Sequence, residues 1–269
     1  AAKIKRPQGV VAVDGKALRR GYERGKAHMP PVMVTLWAAQ TRMALANTLA
    51  PGNNEAAGAL QLIELIQLKG CVVTADALHC HRTMAKTIVE RGGDYVLAVK
   101  ENQPALLADA KAAIAAAKRK GAKRLATAEL NHGRAEKRAA VVAAVKEMGQ
   151  KHDFPGLKAV AAITSKRGKD DTVTRYFLMS QAYSRTQTLR IVRQHWGIEN
   201  CLHWPLDVVL DEDLARNRKD NGPVNLAILK RLALNVARAH PDTKTSLRAK
   251  LKRAGWDDTF LFDMLGHMR

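Results

Sequence analysis

The sequence predicts a mixed α/β fold, an open sheet flanked by helices. Three observations predict it. Short β-branched runs crowd the first fifty residues; further on such runs alternate with amphipathic segments bounded by caps and glycines; and the pattern turns almost wholly helical from Arg185 onward. Val10-Val11-Ala12-Val13 is a buried strand. Residues 32–39 and 43–49 are a second and third strand, antiparallel, with Thr41-Arg42 at the turn. A basic, glycine-containing loop from Leu18 to Pro31 joins the first two. Asn53 or Asn54 caps a helix that runs to about Leu68, and Gly70 ends it. Strand 71–75 follows, then a short amphipathic helix over 80–91 closed by Gly92-Gly93, then strand 95–99. A helix from about Pro104 to Lys118 accepts proline in its first turn.

Between Lys123 and Ser180 the character changes to short β-like runs (125–129, 138–145, 158–164, 173–179) separated by Gly, Asp and Lys turns. Beyond Arg185, the main interruption is the charge-rich segment Pro205 to Asn225. Helix 224–238 has a strong apolar face, and 244–269 is a small helical pair carrying Trp256 and Phe260. The initial order β-β-β-α-β-α-β-α is that of ribonuclease-H-like folds. The expected division is a first part of the core over 1–122, a β-rich insertion over 123–180, completion of the core over 181–240, and a helical tail over 241–269.

The 45 Lys and Arg outnumber the 25 Asp and Glu, a net charge of +20 in 269 residues. That excess favours a polyanion, because each neutralised phosphate releases counterions. Three cysteines without a CxxC pair argue against a disulfide scaffold and for a reducing compartment. No apolar stretch is long enough to span a bilayer, and no apolar signal core follows the basic N-terminus. Cytoplasmic residence is the expectation. The chain begins without Met and almost directly on a strand, as a fragment does.

Three carboxylates stand at structural junctions. Asp14 ends the run 10–13, Asp76 ends the run 71–75, and Glu199 lies in a helical segment, Arg193 to Asn200. Two strand ends and one helix can bring three acids together, and such a cluster repels itself unless a divalent cation neutralises it. Each Asp alone is more often a turn or helix cap, and Glu199 alone more often a solvated helix residue or a salt-bridge partner. Their company favours a site: Gly15 and Ala77 are small neighbours that let a substrate approach, and Glu199 lies among His195, Trp196, Asn200, His203 and Trp204. With a basic chain, the natural substrate of such a metal site is a phosphodiester. Mg²⁺ or Mn²⁺ prefers carboxylate oxygens, and two ions can serve the attacking and leaving oxygens separately.

Candidate DNA contacts surround the acids. Lys16 and Arg19 belong to a basic stretch, Lys16–Lys26, suited to backbone phosphates. Lys100 and Asn102 follow the strand 95–99; Asn102 could instead cap the next helix. Arg193, His195, Asn200 and His203 recur at helical spacings around Glu199. Trp196 and Trp204 could stack on a base, although aromatics at helical spacing more often pack into a core. Asp207 and Asp213 are supporting carboxylates, in an acidic run expected to pair with Arg216, Arg218 and Lys219 in a solvated loop. A zinc site from His79, Cys80 and His81 fits no known finger spacing.

Several segments together resemble bacterial insertion-sequence transposases of the DDE superfamily, in the H-repeat-associated branch. They are Val13-Asp14-Gly15-Lys16, Thr74-Ala75-Asp76-Ala77, Gly92 to Lys100, Asn102-Gln103, His132-Gly133-Arg134-Ala135-Glu136, and above all His195-Trp196-Gly197-Ile198-Glu199-Asn200 running on through Leu202-His203-Trp204 to Val208. The resemblance covers about residues 10–240. It implies a ribonuclease-H-like fold with a β insertion before the last catalytic helix, and Asp14, Asp76 and Glu199 as metal-binding catalytic acids. It also implies Mg²⁺-dependent cleavage at element ends and strand transfer into target DNA by an oligomer. A non-catalytic DNA-binding remnant and a ribonuclease-H-type nuclease are the competing readings.

Overall fold

The computed structural model describes residues 9–21, 29–131, 134–168 and 170–268, which fall into two compact units. The first unit takes in, over the described residues, Val13–Leu62 and Trp196–Arg269; the second takes in the start of the first strand and Ile63–His195.

In the first unit, β1 (Gly9–Ala17) pairs alongside β2 (Val32–Ala38) and β3 (Met43–Leu49) in the order β3-β2-β1. β2 and β3 are antiparallel, with Met33 opposite Leu49 and Ala38 opposite Met43. Arg42 takes the left-handed turn position, at φ 57°. Every apolar side chain of β2 from Met33 to Ala38 is buried, as a strand inside a sheet and covered on both faces must be. β1 does not stop at Val13, as the apolar run suggested, but continues through Asp14 to Ala17. Polar side chains end the apolar pattern without ending the ladder, because backbone pairing does not depend on side-chain polarity.

Asn54 begins α1 (Glu55–Glu64), its Oδ1 accepting the Ala57 N–H at 3.1 Å. The helix stops about a turn short of Leu68, whose N–H donates instead to the Arg91 carbonyl at 3.2 Å. Later in the same unit come α6 (Trp204–Val208), α7 (Gly222–Ala239), α8 (Leu247–Ala254) and α9 (Asp258–Gly266). α7 docks on β3 through Asn235, whose amide exchanges two hydrogen bonds with the Ala44 backbone, at 3.0 and 2.7 Å. The tail packs Phe260 and Met264 against Val236 and Ala237.

The second unit holds β4 (Cys71–Ala75), α2 (Arg82–Glu90), β5 (Asp94–Val99), α3 (Pro104–Arg119), β6 (Leu125–Asn131), β7 (Arg134–Ala144), α4 (Met148–Lys151), β8 (Ala159–Arg167), β9 (Val173–Met179) and α5 (Arg185–His195). β4 and β5 are parallel, and β5–β9, β9–β8, β8–β7 and β7–β6 are antiparallel. The strands that read as an insertion therefore extend the ladder through β9. The hydrogen-bonded order is β3-β2-β1-β4-β5-β9-β8-β7-β6, a large mixed sheet. No described helix is long and apolar enough to cross a membrane.

Candidate active site

In the first unit, three side chains converge. Asp14 stands in the middle of β1, partly exposed, with Oδ1 accepting the Gly15 N–H at 3.0 Å. Glu199 and His203 lie on one π-helical turn, Glu199–His203, in which the Trp204 N–H donates to the Glu199 carbonyl. Pro205 accounts for the wide turn: it has no N–H to give to the carbonyl four residues back, and its ring would crowd that carbonyl. The orphaned Cys201 carbonyl is taken by the Arg238 guanidinium. His203 Nδ1 lies 3.2 Å from Glu199 Oε2 and 3.6 Å from Asp14 Oδ2. The ligand atoms of Asp14, Glu199 and His203 all fall within 4.8 Å of one another. His203 is buried while Glu199 is 51% exposed, so the cluster has a fixed floor and an open mouth. Gly197 lets this turn close on the sheet: a Cβ there would lie 2.6 Å from the Trp37 ring.

Beneath Asp14 lies an ionic network. Lys16 is only 9% exposed, and its Nζ is 2.8 Å from both Asp207 Oδ1 and Asp213 Oδ1 and 3.8 Å from Glu212 Oε2. Burial acts to lower the Lys16 pKa, but the hydrogen bonds to Asp207 and Asp213 outweigh it and hold the ammonium above its ordinary value. Arg231, fully buried, donates to Glu212 Oε1 at 2.8 Å and to Thr35 Oγ1 at 3.2 Å. These carboxylates are thus no solvated loop paired with Arg216, Arg218 and Lys219; they pair with Lys16, Arg19 and Arg231. Lys16, expected to touch DNA, is engaged by protein carboxylates instead and braces the strand that carries Asp14. The space beside Gly15 is likewise filled, by the Glu55 carboxylate, rather than left for substrate.

In the second unit, Asp76 follows β4, exposed, and makes no capping hydrogen bond to the 3₁₀ turn it opens. A plain capping role is therefore absent. Since β4 and β5 run parallel, Lys100 leaves the same sheet edge as Asp76. The Asn102 amide donates to the Ala77 carbonyl at 2.8 Å and that of Gln103 to the Cys80 carbonyl at 3.2 Å. Asn102 is thus not the cap of α3, whose cap position belongs to Gln103; it braces the Asp76 loop. His195 Nδ1 pairs with Thr74 Oγ1 at 3.0 Å, fastening the end of α5 to β4. His81 caps α2, accepting the Met84 N–H at 3.2 Å, and His79 is buried.

Of the remaining candidates, Arg19 and Asn200 are exposed, and Arg193 lies in α5 with Nη1 3.7 Å from Glu136 Oε2. Trp196 is 40% exposed and Trp204 is 59% exposed, so neither is the core residue that its helical spacing favoured. The stretch 22–28 and His132-Gly133 lie outside the described residues. Sequence reasoning gave His203 to DNA and missed its place between two acids; its i, i+4 spacing from Glu199 was the available signal.

The donor set suits a divalent cation. Asp14 and Glu199 supply hard oxygens, and His203 Nδ1 stands where it can orient Glu199. Among the described residues the other potential cluster, His240, Asp263 and His267, reads better as a hydrogen-bonded group. His240 Nδ1 accepts the Asp242 N–H, which places the ring proton on Nε2, 3.0 Å from Asp263.

The sequence profile described as Transposase DDE domain matches residues 5–236. YncI of Escherichia coli O157:H7, whose name marks it as a proposed transposase, is 29% identical over 95% of this chain and 68% of its own. YhhI of Escherichia coli strain K12, named as H repeat-associated, is 27% identical over 95% of this chain and 71% of its own. Among solved structures, a piggyBac transposase synaptic complex with hairpin DNA superposes with a TM-score of 0.53 at 12% identity. The match covers 98% of this chain and 54% of that one, so this chain spans about half of the piggyBac polypeptide. At that identity the likeness speaks for the fold, a ribonuclease-H-like mixed α/β sheet.

Proposed function

The chain belongs to the transposase DDE domain family, and from that premise we propose that it is the catalytic core of a DNA transposase. In this reading it cleaves phosphodiester bonds at insertion-sequence ends and transfers the freed 3′ strand to target DNA as an oligomer, inside the bacterial cell. The observation that carries the reading is the convergence of Asp14, Glu199 and His203 within 4.8 Å in a strongly basic chain. We assign Asp76, the exposed carboxylate just past the end of β4, as the third acid of the set. Asp14, Asp76 and Glu199 would hold Mg²⁺ or Mn²⁺, in one or two ions, which would supply Lewis-acid polarisation of the scissile phosphate and a lowered pKa for the attacking oxygen.

The protein's own part is positioning. Asp14 is fixed by a strand whose polar side is locked through Lys16, Asp207 and Asp213. Glu199 is exposed and steered by His203. Asn102 and Gln103 hold the Asp76 loop from below, and His195 fixes the end of α5 to β4. Lys100 and Asn200 are exposed towards phosphates, Arg19 is exposed beside its ion pair with Asp213, and Trp196 and Trp204 are exposed for the face of a base.

The test is Mg²⁺- or Mn²⁺-dependent nicking of labelled DNA that carries the flanking repeats of the element. Wild type cuts, while Asp14→Asn, Asp76→Asn and Glu199→Gln bind the same DNA without cutting it. Wild-type protein that binds this DNA with every metal offered and never cuts it would leave a DNA-binding remnant as the better reading.

A further inference from the structure

One buried carboxylate in the second unit gathers three guanidiniums. Glu136 of β7 is 5% exposed. Its Oε1 accepts from Arg138 Nε at 3.1 Å and Nη2 at 2.8 Å, both donors converging on one oxygen. Arg167, directly opposite Glu136 across the β7–β8 ladder, brings Nη2 to 3.6 Å, and Arg193 of α5 brings Nη1 to 3.7 Å from the other oxygen. Those two distances are beyond hydrogen-bonding range, so Glu136 holds both groups by charge attraction rather than by a hydrogen bond.

The placement is ordered. Glu136 and Arg138 are two apart on one strand and share a face, and α5 packs against β7. Burial alone would raise the Glu136 pKa, but Arg138 foremost, then Arg167 and Arg193, hold the carboxyl below its ordinary value. It therefore stays charged throughout the neutral range. A single cross-strand pair would need one arginine. Here Arg167 is 54% and Arg193 35% exposed, each beside one oxygen of the same buried carboxylate. Guanidiniums held in that way match the oxygens of a phosphodiester.

We propose that Glu136 is a positioning residue that preorganises Arg167 and Arg193 as a seat for a DNA backbone phosphate, with Arg138 fixing the carboxylate through its Oε1. The β6–β9 extension then serves as a DNA-holding surface rather than as a spacer. This rests on the reading of the chain as a DNA-acting protein, and it adds a site outside the acid cluster.

The experiment is the affinity of the full chain for a generic DNA duplex as a function of salt, for wild type, Arg167→Gln, Arg193→Gln and Glu136→Gln, with thermal melts to confirm folding. Each lost phosphate contact should make the log–log salt slope shallower by about 0.9, so each arginine variant should lie about 0.9 above wild type if it contributes its own contact. Glu136→Gln separates positioning from bulk charge. It makes the protein more positive, which tightens binding if charge alone matters, and it should weaken binding if the carboxylate aims the arginines. Unchanged slopes for both arginine variants, or tighter binding by Glu136→Gln, overturn the seat. Should Glu136→Gln not fold, Arg167→Gln, at an exposed position, decides alone. A flat slope for wild type would instead sink the DNA reading itself, whereas a steep wild-type slope with unchanged variants leaves that reading standing and removes only this inference.

Discussion

Replacing Gly197 by Ala tests how the turn that carries Glu199 is seated. In an open helix the change would stabilise, because Ala is favoured over Gly by roughly 1 kcal/mol. Here the added Cβ would lie 2.6 and 2.9 Å from two carbons of the six-membered ring of Trp37. Carbon atoms pack at about 3.5–4.0 Å, so the ring must retreat by roughly 1 Å. It has little room, for Trp37 is 1% exposed and sits on β2 among Met33, Val34 and Leu36. Overpacking of that kind costs about 1–3 kcal/mol. Against the propensity gain, the net expectation is a destabilisation of up to about 2 kcal/mol. Urea unfolding reads it as a lowered midpoint with an unchanged slope. Trp37→Phe withdraws the crowding atoms at a cavity cost of its own. In that background Gly197→Ala should be neutral or stabilising, a coupling of about 2 kcal/mol in the double-mutant cycle. If Gly197→Ala raises the midpoint, or costs the same in the Trp37→Phe background, the close approach is not what fixes this turn.

Further outcomes follow from the buried charges and thiols. Lys16→Met should lower the urea midpoint by an amount equivalent to about 2–3 kcal/mol, since Asp207, Asp213 and Glu212 lose their shared cation; a pure DNA contact would instead shift the salt slope and leave the midpoint alone. Burial pushes the Cys80 thiol up to about 12, so the thiolate is scarce at pH 8 and grows only in strongly alkaline solution. With Cys71 also buried and Cys201 partly exposed, a thiol reagent at pH 8 should label Cys201 first and the other two only on unfolding; rapid labelling of Cys80 in the native protein would contradict its burial.

Much of the fold was legible because hydrophobic period and cap chemistry agree. β3, β4 and β9 occupy the spans that their alternation predicted, and Asn54 caps α1. The end of β1 was not legible, because Gly15 and Lys16 interrupt the apolar pattern while the ladder goes on. Nor was the role of Lys16. A lysine in a basic stretch looks solvated until the fold brings Asp207 and Asp213, almost two hundred residues away in sequence, to its ammonium. The site was half legible. Asp14 and Glu199 stood out by their company, whereas the π turn that brings His203 between them depends on Pro205 and on a carbonyl capped from α7. The exposure of Trp196 and Trp204 went against helical spacing, because the face of that turn which meets the sheet is supplied by Gly197 and the buried Ile198 and Leu202.

The most direct test of the proposed three-acid metal centre is Fe²⁺ substitution, followed by hydroxyl-radical cleavage of the polypeptide. Radicals made at a bound iron cut the backbone beside its ligands. The account predicts cuts next to Asp14, Asp76 and Glu199 together, suppressed by excess Mg²⁺ and lost at all three places in Asp14→Asn. Cuts near Asp14 and Glu199 with none near Asp76, or a cutting pattern that Asp14→Asn leaves unchanged, would contradict it.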